Sequence, residues 1–185
     1  MSCISKTISG LAYDCSSNIG GISKIWITGY KEGAATLDKD IINGFNEAVT
    51  LESWKPFAFR KGAASMTKTA NIDAANGINY ISTELVINFS RMETTKRIEM
   101  QALLLDEVMV IVKDSNGVYW FLGYDEPVTA TAGGGQTGQA KTDANQYTIT
   151  LTDESHELPY EVSKTFGDSL TKELIKGPGK QVPES

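Results

Sequence analysis

Three residues near the C-terminal end have the side chains of a hydrolytic triad: Asp153, Ser155 and His156. Nucleophilic catalysis requires a nucleophile, a base and an orienting acid that converge on one point. Neighbouring residues of an extended segment point to opposite faces, so these three are poorly placed to converge. The chain has one histidine and contains neither a G-x-S-x-G nor an H-E-x-x-H motif. We therefore expect that the protein is not an enzyme and has no small-molecule substrate.

A glycine-rich stretch is the second candidate for chemistry. It consists of Gly133, Gly134, Gly135, Gln136, Thr137 and Gly138. A phosphate-binding loop needs a lysine followed by serine or threonine and a helix that opens directly behind it. Here no Gly-Lys-Ser or Gly-Lys-Thr occurs, and the stretch leads towards a strand. We predict a flexible loop over residues 133–143 and no cofactor, and we take these six residues as candidates for contacts between subunits.

The cysteines do not predict a metal site. Cys3 and Cys15 lie near the N-terminus, far from His156, whereas a zinc site normally needs four ligands in paired spacing. We interpret both cysteines as small buried apolar residues. A disulfide between them is the alternative, which a cytosolic origin disfavours.

The bulk properties predict one soluble domain of ordinary composition. The 185 residues are 41% hydrophobic and 22% charged, and their net charge of −6 argues against a surface that grips nucleic acid. No apolar run reaches membrane-spanning length, and the N-terminus lacks the apolar core of a signal peptide. We predict a single domain over residues 1–175 and a flexible tail over 176–185, where two prolines and two glycines occur in ten residues.

The chain is organised around a long strand that leads into a helix. Residues 80–89 alternate between apolar and polar side chains, which is typical of a half-buried strand. Residues 91–105 are rich in good helix formers, and Ser90 with Glu93 has the pattern of a capping box. Ile98, Ala102 and Leu105 recur at helical spacing, and the apolar stripe is widened by Met92, Leu103 and Leu104. We predict that this stripe folds back on the sheet. We expect this to be the only long helix.

Most other recognisable segments read as strands. They lie at residues 22–30, in two short pieces or one bulged strand within 45–60, and at 64–73, 108–112, 118–124, 128–132, 147–152 and 160–166. Asn-Gly pairs at 76–77 and 116–117 predict tight hairpin turns. Residues 31–44 show no clear period and read as a loop. The predicted fold is mainly β (α+β): an antiparallel β-sandwich or small barrel of roughly seven to nine strands with one flanking helix.

Aromatic residues suggest an alternative function. Trp26, Trp54, Tyr119, Trp120 and Tyr124 would suit a surface on which sugar rings stack. In β-rich proteins such residues more often fill the core or anchor a subunit contact. A β-sandwich that binds carbohydrate or protein is therefore the alternative from another functional class.

Several short segments together carry a family resemblance. In chain order they are GLAYDC at 10–15, NIGGI at 18–22, FRKGAAS at 59–65, NIDAANGINYISTEL at 71–85, the helical MExxKRxEMxALL, DSNGVYWFLGY, AGGGQTGQA, YTITL and LPYEV at 158–162. They resemble structural virion proteins of tailed phages that infect Bacteroidetes. The proteins in question are the tail tube and tail-ring proteins of crAss-like phages and related prophages.

The resemblance implies a tail-tube-like domain that works as a structural part of the virion. In that family six subunits close their sheets into a ring whose lumen passes DNA, and long loops reach the next ring. The expected partners are further copies of the chain, as a hexamer in the family pattern, and other tail or connector proteins, with no membrane. The expected location is the virion tail, assembled in the cytoplasm of the bacterial host. The inner tube of a contractile injection system is the alternative within the structural class.

Two residues of the long strand are candidates for the lumen. Glu84 and Asn88 lie on its polar face, which suits a sheet with one side on a core and the other on a wet channel. A negative lumen would also let DNA slide, because it offers no cations to hold phosphates. The hypothesis fails if both side chains lie in the protein core.

Overall fold

The computed structural model describes residues 10–11 and 16–175, without the side chains of 173–175. Cys3, Cys15 and the predicted tail 176–185 lie outside the described residues. The strands are β1 (Ile22–Gly29), β2 (Ala35–Asp38), β3 (Ile41–Phe45), β4 (Lys55–Phe57), β5 (Ala64–Asp73), β6 (Ile78–Ser90), β7 (Val108–Asp114), β8 (Tyr119–Leu122), β9 (Thr129–Gln136), β10 (Gln146–Ser155) and β11 (Glu161–Val162). The helices are α1 (Thr94–Leu105) and α2 (Lys164–Ile175), and a single 3-10 turn spans Leu51–Ser53.

These strands form two sheets, which confirms the mainly β, sandwich-like fold class. One sheet has seven strands in the order β2-β3-β11-β8-β7-β1-β4, and the other has four in the order β5-β6-β10-β9. The eleven described strands exceed the predicted seven to nine. The prediction of a purely antiparallel sheet is wrong at one place, where β11 pairs with β3 in parallel.

The main core lies between the two sheets. On the four-stranded side the residues that alternate inwards from β6 and β10 are buried, among them Leu85, Ile87, Ile149 and Leu151. They face inward residues of β1, β7 and β8. The clean alternation of YTITLT thus predicted the buried face of β10 correctly, because a strand with one solvated face must place its apolar residues at every second position.

A second core covers the opposite face of the seven-stranded sheet. Trp26, Met109, Ile111, Tyr119 and Phe121 point to this side. Residues of the 34–54 segment and of α2 pack over them. The continuous apolar run VMVIV was interpreted as a strand covered on both faces, and the burial of all five residues confirms it.

Both predicted hairpin turns are present. Gly77 and Gly117 have φ angles of +69° and +88°, and they connect β5 to β6 and β7 to β8. The Asp114 carboxylate accepts backbone N–H groups of Asn116 and Val118 at 2.9 Å, which fixes the second turn. These turns set the register of both hairpins.

Helix α1 begins later than predicted, and the capping box is wrong. Ser90 still belongs to β6, where it pairs with Gln146. Arg91 then adopts a left-handed φ of +65°, which turns the chain before the helix starts at Thr94. Glu93 takes the N-cap position without a side-chain cap hydrogen bond.

The predicted inward stripe of α1 is correct for Leu103 and wrong for its main residues. Met100 and Leu103 are the buried residues of the helix. Ile98 and Leu105 are 55% and 78% exposed, and Ala102 is exposed with them. Since Ile98, Ala102 and Leu105 share one side of the helix, α1 carries an apolar stripe on its solvent face, named here the outer stripe.

A second helix occupies the region predicted as a last strand. Only Glu161–Val162 forms a strand there, and α2 begins at Lys164. Gly167 lets this helix approach the sheet, since a Cβ at that position would lie 2.5 Å from the Tyr119 ring. The prediction of a single long helix is therefore wrong.

The segment before β4 is more ordered than predicted. The presumed loop 31–44 contains β2 and most of β3, which pair with each other. Lys39 and Asp40 form the tight turn between them, with φ angles of +51° and +66°. Phe45 ends β3, and Pro56 lies in the short edge strand β4, where a missing N–H is tolerated.

Candidate functional site

The glycine-rich stretch is mostly strand rather than loop. Gly133, Gly134, Gly135 and Gln136 complete β9, which pairs with β10 along its length. Thr137 and Gly138 begin the connection to β10. The predicted loop over 133–143 is thus wrong for its first four residues, because backbone pairing to a neighbouring strand overrides the flexibility of glycine.

Two of these glycines allow α1 to approach the sheet. A Cβ on Gly133 would lie 2.6 Å from Leu104 Cδ2 of the helix. One on Gly135 would lie 2.8 Å from Met92 Cε and from two carbons of the Tyr147 ring. Gly134 points to the opposite face, where a Cβ would meet no atom within 4 Å. The glycines therefore serve close packing on the inner face of β9.

The outer face of the four-stranded sheet is mostly polar, and it is named here the polar face. Its residues are Ser65, Thr67, Thr69, Asn71 and Asp73 on β5; Ile78, Tyr80, Ser82, Glu84, Val86, Asn88 and Ser90 on β6; Gln146, Thr148, Thr150, Thr152 and Glu154 on β10; and Thr129, Thr131, Ala132, Gly134 and Gln136 on β9. Hydroxyl and amide groups dominate this set. It contains three carboxylates, those of Asp73, Glu84 and Glu154, and neither lysine nor arginine.

The two lumen candidates lie on the polar face and outside the core. Glu84 is exposed and Asn88 is half-buried. The Asn88 Oδ1 atom accepts hydrogen bonds from Thr148 Oγ1 at 2.6 Å and from Gln146 Nε2 at 3.4 Å. The position of both side chains satisfies the condition set for a channel-lining role, which itself stays a prediction.

Further polar contacts extend across this face, and the sequence interpretation missed them. The hydroxyl oxygens of Thr131 and Thr152 lie 2.8 Å apart across β9 and β10. The signal was present in the sequence, since threonine occupies every second position of YTITLT and of the Thr67–Thr69 pair.

Each of the two outer strands of the four-stranded sheet has one side that pairs with no other strand of the described chain. In the described chain β5 pairs only with β6, and β9 pairs only with β10. All three pairings in the sheet are antiparallel, so strand direction alternates from β5 to β9. A β5 strand from a second copy placed beside β9 would continue the alternation. Outer strands with free N–H and C=O groups are templates for such pairing.

Apolar surface is exposed on helix α1 and in a groove beside it. Helix α1 packs along β9, and its outer stripe faces solvent. Between α1 and β4 lies a groove of about 580 Å³ with Phe57, Phe89, Met100 and Leu103 among its lining residues. Exposed large apolar residues beside an open sheet edge are typical of a protein contact surface.

The triad residues are not brought together. Asp153 is 2% exposed and lies at one end of the core between the two sheets. Its Oδ1 atom accepts a hydrogen bond from the Gly123 N–H at 3.0 Å. Ser155 donates its hydroxyl to the Glu157 carbonyl at 2.6 Å. His156 is exposed, and its backbone N–H donates to Asp125 Oδ2 at 3.0 Å.

Burial gives Asp153 unusual acid–base behaviour. It raises the pKa of this carboxyl group to about 6, against an ordinary value of 3.8, and the charges of Asp125, Glu126 and Glu154 act in the same direction. Thr83, its partner across the strands, is also fully buried, and its hydroxyl oxygen makes no hydrogen bond. This pair is a polar layer at one end of the inter-sheet core.

The five candidate aromatic residues do not form one exposed surface. Trp26, Trp54 and Tyr119 are buried in the second core. Trp120 is half-buried on the other face of its sheet, and the Lys68 ammonium group lies 3.8 Å from its ring centre. Tyr124 packs edge-on against Tyr160. The sugar-stacking platform of the alternative interpretation is therefore not assembled.

Neither helix of the described chain has the length and apolarity to cross a bilayer. Among the residues that the structure covers, no group of three His, Cys, Asp or Glu side chains is arranged to hold a metal ion.

Comparisons with protein-family models, with curated proteins and with solved structures found no match to this chain.

Proposed function

We propose that this chain is a structural subunit that assembles into a ring or tube segment of a phage tail or head-to-tail region. In this assembly the four-stranded sheets of neighbouring copies join side by side. The polar face lines a lumen through which DNA passes. The seven-stranded sheet, α2 and the second core form the outer layers of the wall.

One observation carries the proposal: a sheet with a packed inner face, a polar outer face and two open edges of opposite strand direction. A monomer would leave both outer strands exposed, and natural proteins usually protect such edges. Joining β9 of one copy to β5 of the next removes both edges in every copy once the ring closes. A closed ring is the arrangement that leaves no free edge.

The chemistry of the polar face suits contact with moving DNA. Phosphate binding in proteins depends mainly on lysine and arginine, and the charged groups of the polar face are the carboxylates of Asp73, Glu84 and Glu154. Threonine hydroxyls and amides keep the surface hydrated without holding the phosphates. Such a lumen would pass a duplex with little retention.

The apolar residues on α1 would add side-chain packing to the backbone pairing between copies. Backbone pairing specifies register weakly on a polar face, whereas apolar side chains add packing and affinity. The outer stripe of α1 lies on the β9 side and would be covered by the next copy. The ring contact would then combine strand pairing with helix packing.

The test is the mass and shape of the purified protein. Light scattering over a wide concentration range, with negative-stain images of the same samples, should reveal closed rings or short tubes with a central hole. A protein that remains a monomer at every concentration and gains melting temperature with a glycan or a protein ligand would contradict the proposal. That result would instead favour the binding-module alternative.

A further inference from the structure

Charged residues are segregated at the two ends of the four-stranded sheet. Arg60, Lys61 and Arg91 lie at the end where β6 finishes, and are named here the basic pole. The Arg91 N–H donates to the Asn145 carbonyl at 2.7 Å. Arg60 and Arg91 both line a hollow of about 460 Å³ at this end. All three side chains are exposed.

The carboxylates near the basic pole are already engaged. Glu93 lies 3.0 Å from the Lys96 ammonium nitrogen, so these two charges offset each other. The Asp143 carboxylate accepts backbone N–H groups of Gln139 and Ala140 at 2.7 and 2.8 Å, which lower its pKa and leave it negatively charged. The three cations of the basic pole outnumber this one carboxylate, so the net charge at this end is positive.

The opposite end of the same sheet is negative. Asp125, Glu126 and Glu154 are exposed there, and are named here the acidic pole. Three separate groups respond to this field: after the effect of burial, nearby carboxylates of this end raise the pKa of Asp153, Tyr30 and Tyr160. Glu32, Glu107 and Glu157 extend the negative surface, and Lys31 neighbours Glu32.

The two poles are too far apart to neutralise each other within one copy. Strand β10 runs from Gln146 at the basic pole to Ser155 at the acidic pole. Ten residues of strand span roughly 30 Å, which exceeds a Debye length of about 8 Å at physiological salt. Each pole therefore presents its own charge to a partner.

We propose that copies stack end to end, with the acidic pole of one against the basic pole of the next. This inference rests on the proposed ring: strand ends of a closed sheet lie at the two mouths, so the two rims would carry opposite charge. Like rims repel and unlike rims attract, which gives the stack one direction. The contact repeats around the ring, so weak ion pairs add up to a stable junction.

The test compares charge-reversed variants after nuclease treatment. R60E/K61E makes both ends acidic, E32K/E107K/E126K/E154K makes both ends basic, and the variant that combines the two sets of changes exchanges the poles. K164E/K172E on α2 is the matched control for the first variant, since it changes the net charge equally away from the poles. Stack length is read from negative-stain images and from light-scattering mass between about 50 and about 500 mM salt.

We expect the parent protein and the control to stack at low salt and to separate as salt rises. Each single-pole variant should form rings but lose stacks by at least about tenfold, because two like rims meet. The combined variant should stack again. Melting curves identify any variant that has lost its fold, and conservative neutral variants, R60Q/K61Q and E32Q/E107Q/E126Q/E154Q, then replace it.

Three results would overturn the end-to-end contact alone: stacks that do not depend on salt, stacks that survive a single-pole reversal, and stacks that fail to return in a folded combined variant. Rings that never stack at low salt, or that stack only with DNA present, would do the same. A chain that forms no ring would overturn the proposed function, and the contact with it.

Discussion

At the residue scale, Asp153 is the side chain whose environment most changes its chemistry. It is a carboxyl group inside the core end, with one backbone donor and three acidic neighbours. The folded chain holds a proton on this group up to a pH of about 6, while the unfolded chain releases it near the ordinary 3.8. Folding is therefore coupled to proton uptake at this position.

The sign of the pH dependence follows from this coupling. The contribution of Asp153 to the free energy of unfolding is fully present below the ordinary pKa of 3.8 and is lost as the pH rises through about 6. The loss is on the order of 3 kcal/mol, since a tenfold change in proton affinity corresponds to about 1.4 kcal/mol. Denaturant titrations between about pH 4 and pH 8 measure it.

Asp153→Asn should remove most of this pH dependence. The amide oxygen can still accept the Gly123 N–H, but the side chain cannot become charged. We expect the variant to unfold at higher denaturant than the parent at about pH 8 and at a similar concentration near pH 4. Glu47→Gln, an exposed carboxylate that does not act on the pKa of Asp153, is the control and should keep the parental pH profile. An unchanged profile in Asp153→Asn would contradict the assignment.

At the element scale, Gly134 and Gly135 lie on opposite faces of β9, so an alanine at each position should affect stability differently. Gly135→Ala should destabilise the fold by about 1–3 kcal/mol, because its Cβ would press on the Tyr147 ring and Met92. Gly134→Ala should be neutral or stabilising by up to about 1 kcal/mol, because open space lies beside it and the unfolded chain loses freedom. Urea unfolding of both variants measures the difference. Equal effects would contradict the inward role of Gly135.

The outer stripe of α1 is expected to act in assembly rather than in folding. Ile98→Glu changes an exposed side chain, so the free energy of unfolding should move by less than about 0.5 kcal/mol. Light scattering should nevertheless show loss of rings, because a charge would be buried in the contact. Leu158→Glu, which changes an equally exposed apolar residue outside α1, is the matched control. If rings persist in Ile98→Glu, the outer stripe does not take part in the contact between copies.

Sequence patterns predicted elements best where one physical cause dominated. Alternation identified β6 and β10, because a half-buried strand needs apolar residues at every second position. Asn-Gly identified two hairpins, because a turn residue with positive φ favours glycine. The inward face of α1 was predicted correctly for Leu103 but wrongly for the outer stripe, because apolar residues lie on two sides of the helix and only packing decides which side is buried. Helix α2 was missed, because Gly167 is a poor helix former that tertiary contact with Tyr119 requires.

The candidate site could be predicted from the sequence only in part. The polar side of β6 was visible from alternation, so Glu84 and Asn88 could be placed on an outer face. The open edges depend on strand order, which no local pattern records. The glycine stretch was interpreted as a loop, because composition cannot show that β10 and α1 hold it on both sides.

At the scale of the whole molecule, the charge of the polar face should decide whether DNA is retained. Glu84→Lys would place a cation on each copy around the lumen, and assembled rings should then retain a short duplex that nuclease digests more slowly. Retention should fall steeply as salt rises. Glu47→Lys, an exposed change outside the polar face, is the control. Equal retention in both variants would contradict the lumen assignment of Glu84.

The most direct test of the account is covalent capture of the contact between β5 and β9. In a chain with Cys3 and Cys15 changed to serine, a cysteine at Thr67 of β5 is combined with one at Thr129, Thr131 or Gly134 of β9. At least one pair should give, on oxidation, a ladder of covalent multimers that extends beyond the dimer and ends at the ring. Thr67 combined with Thr150 of the inner strand β10 should give no ladder. A chain that assembles while every β5–β9 pair stays uncoupled would contradict the joined sheet.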